Sequence, residues 1–151
     1  MKGREAFVFD TGLGPDALDP LFDEMAFATA LGDHKRAIKS VLIDQTRMAG
    51  LGNIYADEVL FQARLHPAID VSSLNRATRH RLYDAMKSVL QTAINCGAGA
   101  ETLTDRLPNT FLLRERHAGG RCPRCGSSIQ EDRRSGRTGY YCPRCQPQAD
   151  S

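Results

Sequence analysis

Between Lys35 and Met48, Ile38, Val41, Leu42 and Gln45 fall on one helical face, with Met48 one turn on: a 3.6-residue period with a single polar interruption. This pattern predicts a core-facing helix over 35–48. A second helix is predicted from about Asn53 to Arg64, carrying Ile54, Val59, Leu60 and Ala63 inward and ending before HPAID, where Pro67 blocks continuation. A third begins after Ser72 and Ser73 as N-cap candidates. It aligns Leu82, Met86, Val89, Leu90 and Ala93 until Gly97 stops it. A weaker helix spans roughly Pro20 to Ala30, and Asp19, Asp23 and Glu24 there form a solvated helix face. Near the C-terminus the period changes: SIQED and TGYY have the composition of short strands, and RRSGR between them supplies the glycine a hairpin needs. The expected fold class is mostly α with a small β-hairpin.

At 151 residues, with 41% hydrophobic and 25% charged positions, the chain has the make-up of one ordinary domain or two small modules. No apolar run approaches the roughly 18 to 20 residues of a membrane span. The opening MKGREAFVFD has only a short apolar patch after a charged pair, so neither secretion nor membrane insertion is expected. Net charge is only +2, but it is unevenly placed. From Asp105 to Cys145 there are nine arginines and no lysine against four acids, net +5, while the remainder has eleven basic against fourteen acidic residues, net −3. Charge carried by arginine alone suits bidentate contact with phosphate; an ordinary solvated basic face is the plainer alternative.

The strongest chemical signal is Cys122, Cys125, Cys142 and Cys145: two CPRC pairs with sixteen residues between them. Two thiolates three positions apart across a tight turn converge on one cation, and a hairpin bringing two such turns together gives four sulfurs in tetrahedral array about 2.3 Å from zinc. Two disulfides, a redox dithiol and coincidental spacing are the competing arrangements. The lack of a signal sequence argues against the first, and a redox motif needs only one pair. With four protein ligands no position is left for an activated water, so the zinc is expected to be structural. Cys96 is expected to be a small buried hydrophobe near a helix end rather than a fifth ligand.

Upstream, in MAGLGNIYADEVLF, Gly50 and Gly52 permit positive φ in a tight connection and Asn53 stands where a helix begins. The free N–H groups and partial positive charge of a helix N-terminus suit a phosphate; an ordinary Asn cap is the alternative.

These segments together carry a resemblance. GLGNIYADEVLFQARLHP, preceded by AIKSVLIDQ and followed by CPRC and GRTGYYCPRCQ, is similar to the C-terminal half of the formamidopyrimidine-DNA glycosylase and endonuclease VIII family. The opening DTGLGPDAL resembles that family's entry into its helical domain, so the likeness runs from about Phe9 to Gln146. It implies a helix-two-turn-helix motif at Lys35 to Arg64 within a helical domain over 15–104. A linker over 105–121, a zinc finger over 122–146 and a tail over 147–151 would follow it, with 1–14 as a remnant or linker. It further implies that Asn53 and Arg137, five residues before Cys142, grip phosphates flanking a nucleotide turned out of the duplex. Gly52 would sit beside them and Lys39 close to the DNA, although a solvent-facing helix lysine is the alternative for Lys39. The implied partner is double-stranded DNA, damaged or abasic, and the implied setting is the bacterial cytoplasm at the nucleoid.

The chain also departs from that pattern. Members open Met-Pro-Glu, where the proline amine is the nucleophile; this chain opens Met-Lys-Gly-Arg, and the expectation is a helical and zinc-finger unit without the family's β-rich N-terminal domain. Before the zinc pair, relatives carry a longer stretch with a Tyr-Gly-Arg-like motif. Here Glu115, Arg116 and His117 stand instead, within a short Leu107 to Arg121 segment, and His117 is either a DNA contact or a solvated loop residue. A DNA-binding module that grips phosphates without cutting is therefore the expectation. The alternatives are a glycosylase or abasic-site lyase using a substitute amine (the Met1 α-amine or Lys2) or a separate catalytic partner, and a zinc-ribbon protein-interaction domain. Borohydride trapping on abasic DNA separates the first two.

Overall fold

The computed structural model describes residues 14, 16–17, 19–96, 108–134 and 136–148. The expected helix stop at Gly97, the amines of Met1 and Lys2, and most of the 1–14 segment lie outside them. Among the described residues there are four helices: α1 (Glu24–Leu31), α2 (Ile38–Leu42), α3 (Asn53–Ala63) and α4 (Arg76–Asn95). They are followed by a hairpin of β1 (Gln130–Arg134) and β2 (Arg137–Tyr141). Single 3₁₀ turns occupy Val71–Ser73 and Leu113–Glu115. No helix among the described residues is long and apolar enough to cross a membrane.

α1 starts later than expected because Asp23 caps it, accepting from Ala26 N at 2.9 Å. Asp19 and Glu24 also have assigned tasks, the first accepting from Leu21 N and the second meeting His80 at 2.9 Å, so these acids are more than a solvated face. α2 is only five residues long, not the fourteen expected. Asp44 is the cause: its carboxylate accepts from Thr46 N at 3.0 Å and Thr46 Oγ1 at 2.6 Å, a local turn that competes with helical hydrogen bonding. The apolar stripe nonetheless faces the core, since Ile38, Val41, Leu42 and Met48 are all buried. Gln45, the polar interruption, donates to Leu51 O at 3.1 Å and accepts from Gly50 N at 3.2 Å, bracing the turn into α3.

α3 is enclosed: every residue from Tyr55 to Phe61 is buried. It ends at Arg64, whose left-handed backbone (φ 62°) caps the helix C-terminus. α4 is capped by Asn75, which accepts from Thr78 N at 2.8 Å, and not by Ser72 or Ser73, which belong to a 3₁₀ turn closed by Asp70. Its expected stripe from Leu82 to Ala93 is buried as read. Arg81 Nε donates to Ala63 O at 3.0 Å, and Arg79 reaches Gly32 O, Val71 O and Asp33, tying α4 to the ends of α1 and α3.

β1 and β2 pair antiparallel from Gln130↔Tyr141 to Arg134↔Arg137, with Gly136 at φ 74° in the connection. The apolar interior has two parts. The larger is shared by the helices; the smaller comprises Phe61, Leu112, Cys122, Ile129, Cys142 and Cys145. Phe61 thus belongs to α3 by sequence and to the cysteine-rich segment by packing.

Candidate functional site

The four cysteine sulfurs lie within 4.8 Å of one another, with Cys122 Sγ 3.8 Å from Cys145 Sγ and Cys125 Sγ 3.5 Å from Cys142 Sγ. A tetrahedral Zn–S distance of about 2.3 Å requires sulfurs about 3.8 Å apart, so the cluster has the size zinc demands. Its surroundings suit thiolates. Arg124 N and Cys125 N point at Cys122 Sγ (3.3 and 3.4 Å), and Cys145 N points at Cys142 Sγ (3.3 Å). Cys122, Cys125, Cys142 and Cys145 therefore hold a structural zinc. Cys96, half-buried at the end of α4, lies against the helical core and outside this cluster, as expected.

The finger is fastened to the helices by two buried polar side chains, Gln146 and His66, and by the exposed Arg124. Gln146, fully enclosed, accepts from Cys142 N at 2.8 Å and donates to Leu65 O at 2.9 Å. Arg124 lies over the Phe61 ring at 4.3 Å, and His66 meets the edge of Tyr141 at 4.5 Å. Burial draws the His66 imidazole below its usual pKa, which favours the neutral ring whose Nδ1 accepts from Ala68 N.

At the junction of α2, α3 and β2 sits Asp57, 2% exposed. Its Oδ1 accepts from Lys39 Nζ at 2.6 Å. Its Oδ2 accepts from Arg116 Nε and Nη2 (3.1 and 2.8 Å) and from Tyr140 N (3.0 Å). Lys39 is therefore no solvent-facing lysine; it is 1% exposed and its ammonium is paired within the junction. One turn earlier on α3, Asn53 Nδ2 donates to Thr138 O at 3.0 Å, and Asn53 Oδ1 is buried without a hydrogen-bond partner among the described residues. Asn53 is the first helical residue and Gly52 the N-cap, so the Asn side chain joins the hairpin and does not cap its own helix. Gly50 has the positive φ expected of it (94°), whereas Gly52 has an ordinary φ of −84°.

Arg137, adjacent to Thr138, is exposed at the start of β2 and has no ion-pair partner among the described residues. The Asn53–Thr138 bond thus sets the head of α3 next to the residue that follows Arg137. Other arginines of the basic segment do internal work: Arg116 on Asp57, Arg124 on Phe61, and Arg134 on Asp132 at 2.9 Å. His117 lies exposed in the loop, its Nδ1 beside Ala118 O at 3.1 Å.

Glu58, next to Asp57, is fully buried and accepts from Leu112 N and Leu113 N at 3.0 Å each and from Gln62 Nε2 at 2.8 Å. It anchors the segment that delivers Arg116. Burial pushes its carboxyl up to about 7, against the hydrogen bonds that favour the charged form. Asp57, Glu58, Arg116, Gly139 and Gln146 were not singled out for these roles from sequence. One signal was available: Asp57 and Glu58 sit in a helix whose i+4 positions are Phe61 and Gln62, so neither acid has a basic neighbour on its own helix, and apart from the Gln62 amide their partners must come from elsewhere.

The sequence profile of the Formamidopyrimidine-DNA glycosylase H2TH domain matches residues 13–105, and that of the zinc finger found in FPG and IleRS matches 119–148. The chain is 42% identical over 146 residues to the formamidopyrimidine-DNA glycosylase of Thermomicrobium roseum, covering 92% of this chain and 50% of that protein. To the Heliobacterium modesticaldum enzyme of the same name it is 40% identical over 152 residues, covering 95% and 55%. It spans about half the length of these curated relatives. Among solved structures, the complex of Lactococcus lactis Fpg with abasic-site-containing DNA superposes with a TM-score of 0.79 at 33% identity, covering 98% of this chain and 56% of that one. The complex of the wild-type protein with N7-benzyl-Fapy-dG-containing DNA gives a TM-score of 0.78 at 33% identity, covering 97% and 56%.

Proposed function

The chain belongs to the formamidopyrimidine-DNA glycosylase family, of which it carries the helix-two-turn-helix and zinc-finger half, and from that membership we propose that it is a DNA-binding module of base excision repair. It grips the backbone phosphates of double-stranded DNA at damaged or abasic sites, in the bacterial cytoplasm and on the nucleoid. Asn53, the Gly52 backbone and Arg137 supply the contacts, with Lys39 directly behind them.

The observation that carries this is the bond from Asn53 Nδ2 to Thr138 O, which sets the head of α3 beside Arg137. The Asn53 NH₂ has a second hydrogen for an external acceptor, and no side chain among the described residues caps the helix, leaving backbone N–H groups for an anion. Gly52 adds support. Its φ is ordinary and a Cβ there would meet nothing within 4 Å, so neither conformation nor internal packing asks for glycine, whereas close approach of a phosphate does. Contacts of this kind place the protein on the duplex without reading sequence.

The test is fluorescence anisotropy with duplexes containing an abasic-site analogue, over a range of salt concentrations. Log affinity is expected to fall linearly with log salt. Arg137→Ala is expected to weaken binding roughly tenfold, about equally across sequences, and to reduce the salt slope by about 1. Salt-independent binding, or an Arg137→Ala variant of undiminished affinity, refutes the proposal.

A further inference from the structure

Two backbone groups of β2 are held by one face of α3. Asn53 donates to Thr138 O and Asp57 accepts from Tyr140 N, so side chains four residues apart on the helix engage hairpin residues two apart. Gly139 lies between them, and a Cβ there would collide with Lys39 Nζ and come within 2.9 Å of Asp57 Oδ1. The hairpin rests directly on the Lys39–Asp57 pair. Arg116 adds two N–H bonds to the same carboxylate, on the oxygen that also accepts from Tyr140 N, and its guanidinium lies 5.1 Å from the centre of the Tyr140 ring. One enclosed carboxylate thus receives a lysine from α2, an arginine from the segment before the finger and a backbone N–H from β2.

We infer that Asp57 is a positioning residue that sets the distance between the two phosphate grips, holding the hairpin so that Arg137 meets the strand Asn53 already engages. The inference rests on the proposed DNA-binding function and extends it to a residue that touches no phosphate. Asn53 is carried by α3 itself, so loss of the Asp57 carboxylate leaves it in place but removes the hold on Tyr140 N, letting the hairpin shift about its remaining Asn53–Thr138 bond and displacing Arg137.

Asp57→Asn, in the zinc-loaded full chain, tests this with the same abasic duplex. Charge alone predicts tighter binding, because a negative group near a polyanion is removed. Positioning predicts the opposite: affinity roughly tenfold lower, the value of one phosphate contact. It also predicts that Asp57→Asn/Arg137→Ala binds no more weakly than Arg137→Ala, since no arginine is left to misplace. Unchanged or tighter binding by Asp57→Asn, or a loss that multiplies onto that of Arg137→Ala, overturns the inference. If Asp57→Asn loses zinc or unfolds, Gly139→Ala is the deciding variant. It keeps every charge and sets a methyl against the Lys39 ammonium, which is 1% exposed and paired to Asp57 and so has little room to give; it is expected to show the same loss and the same non-additivity, and full affinity or a multiplying loss in that variant overturns the inference. Wild-type protein without salt-dependent DNA binding refutes the proposed function itself, whatever the variants do.

Discussion

Replacing Glu58 with glutamine should remove a pH dependence of stability that the fold builds in. The carboxyl is fully buried and its pKa is raised from 4.5 to about 7, first by desolvation, with the nearby Asp57 charge acting in the same direction. A raised folded-state pKa means that the folded chain holds a proton the unfolded chain has released. The associated stability is present below pH 4.5 and lost as pH rises towards 7. The full loss is about 3 kcal/mol, of which about 2 kcal/mol falls between roughly pH 5.5 and 8.5. Glutamine does not titrate, and it keeps one acceptor for the Leu112 and Leu113 amides. Its own cost of roughly 1–3 kcal/mol, for leaving donors unpaired, is the same at every pH. Urea unfolding of both proteins, with free zinc buffered at saturation, isolates the term, because other titrating groups cancel in the difference. Wild-type stability relative to Glu58→Gln should fall by about 2 kcal/mol across that pH range. A flat or rising difference would show that the three hydrogen bonds to the carboxylate outweigh its burial.

Gln146→Ala should cost roughly 2–4 kcal/mol in the same unfolding assay, since the Cys142 N–H and the Leu65 carbonyl are both left unpaired in the interior; a cost below about 0.5 kcal/mol would mean that water replaces them. Cys142→Ser should release zinc and expose the segment after Arg121 to protease while α1 to α4 stay intact, because structural zinc supplies the finger's folding free energy; metal analysis and limited proteolysis read both. Gly52→Ala should fold with wild-type stability within about 0.5 kcal/mol, having nothing to collide with, yet bind DNA roughly tenfold more weakly; equal affinity would remove the α3 head from the interface.

What was legible in the sequence had a local cause. The apolar stripes of α2 and α4, the end of α3 before Pro67 and the spacing of the CPRC pairs each express a period or a ligand geometry within a few residues. α2 came out too long because the stripe continues through Met48 while the backbone does not: Asp44 closes a turn on Thr46, and Met48 reaches the core from irregular chain. Start signals misled in a related way. Ser72 and Asn75 are both respectable caps, and only the packing of Val71 into the core decides that Asn75 opens α4. Lys39 was harder still. On its helix it has no distinguishing neighbour, and its acid lies eighteen residues away. The basic charge of the C-terminal segment was visible, but which of its arginines are taken up internally depends on which side chains face Asp57, Phe61 and Asp132, and that is a property of the assembled chain.

Metal and helix do different work for the finger. Its apolar cluster of six residues includes three of the zinc ligands and borrows Phe61 and Leu112 from outside the CPRC-to-CPRC segment, so without the ion it is far too small to order itself. Zinc therefore fixes the finger's internal shape but says nothing about where it sits. Placement comes from α3, whose Asn53, Asp57 and Phe61 recur at i+4 and meet, in order, Thr138, Tyr140 and the finger's interior. The phosphate grip proposed for the hairpin is only as good as that placement, because a donor must be aimed to well under an ångström or so to keep its bond. This explains why a helix that could have been amphipathic is buried all round and carries two adjacent acids: one side packs the helical core, and the other is a ruler for the hairpin.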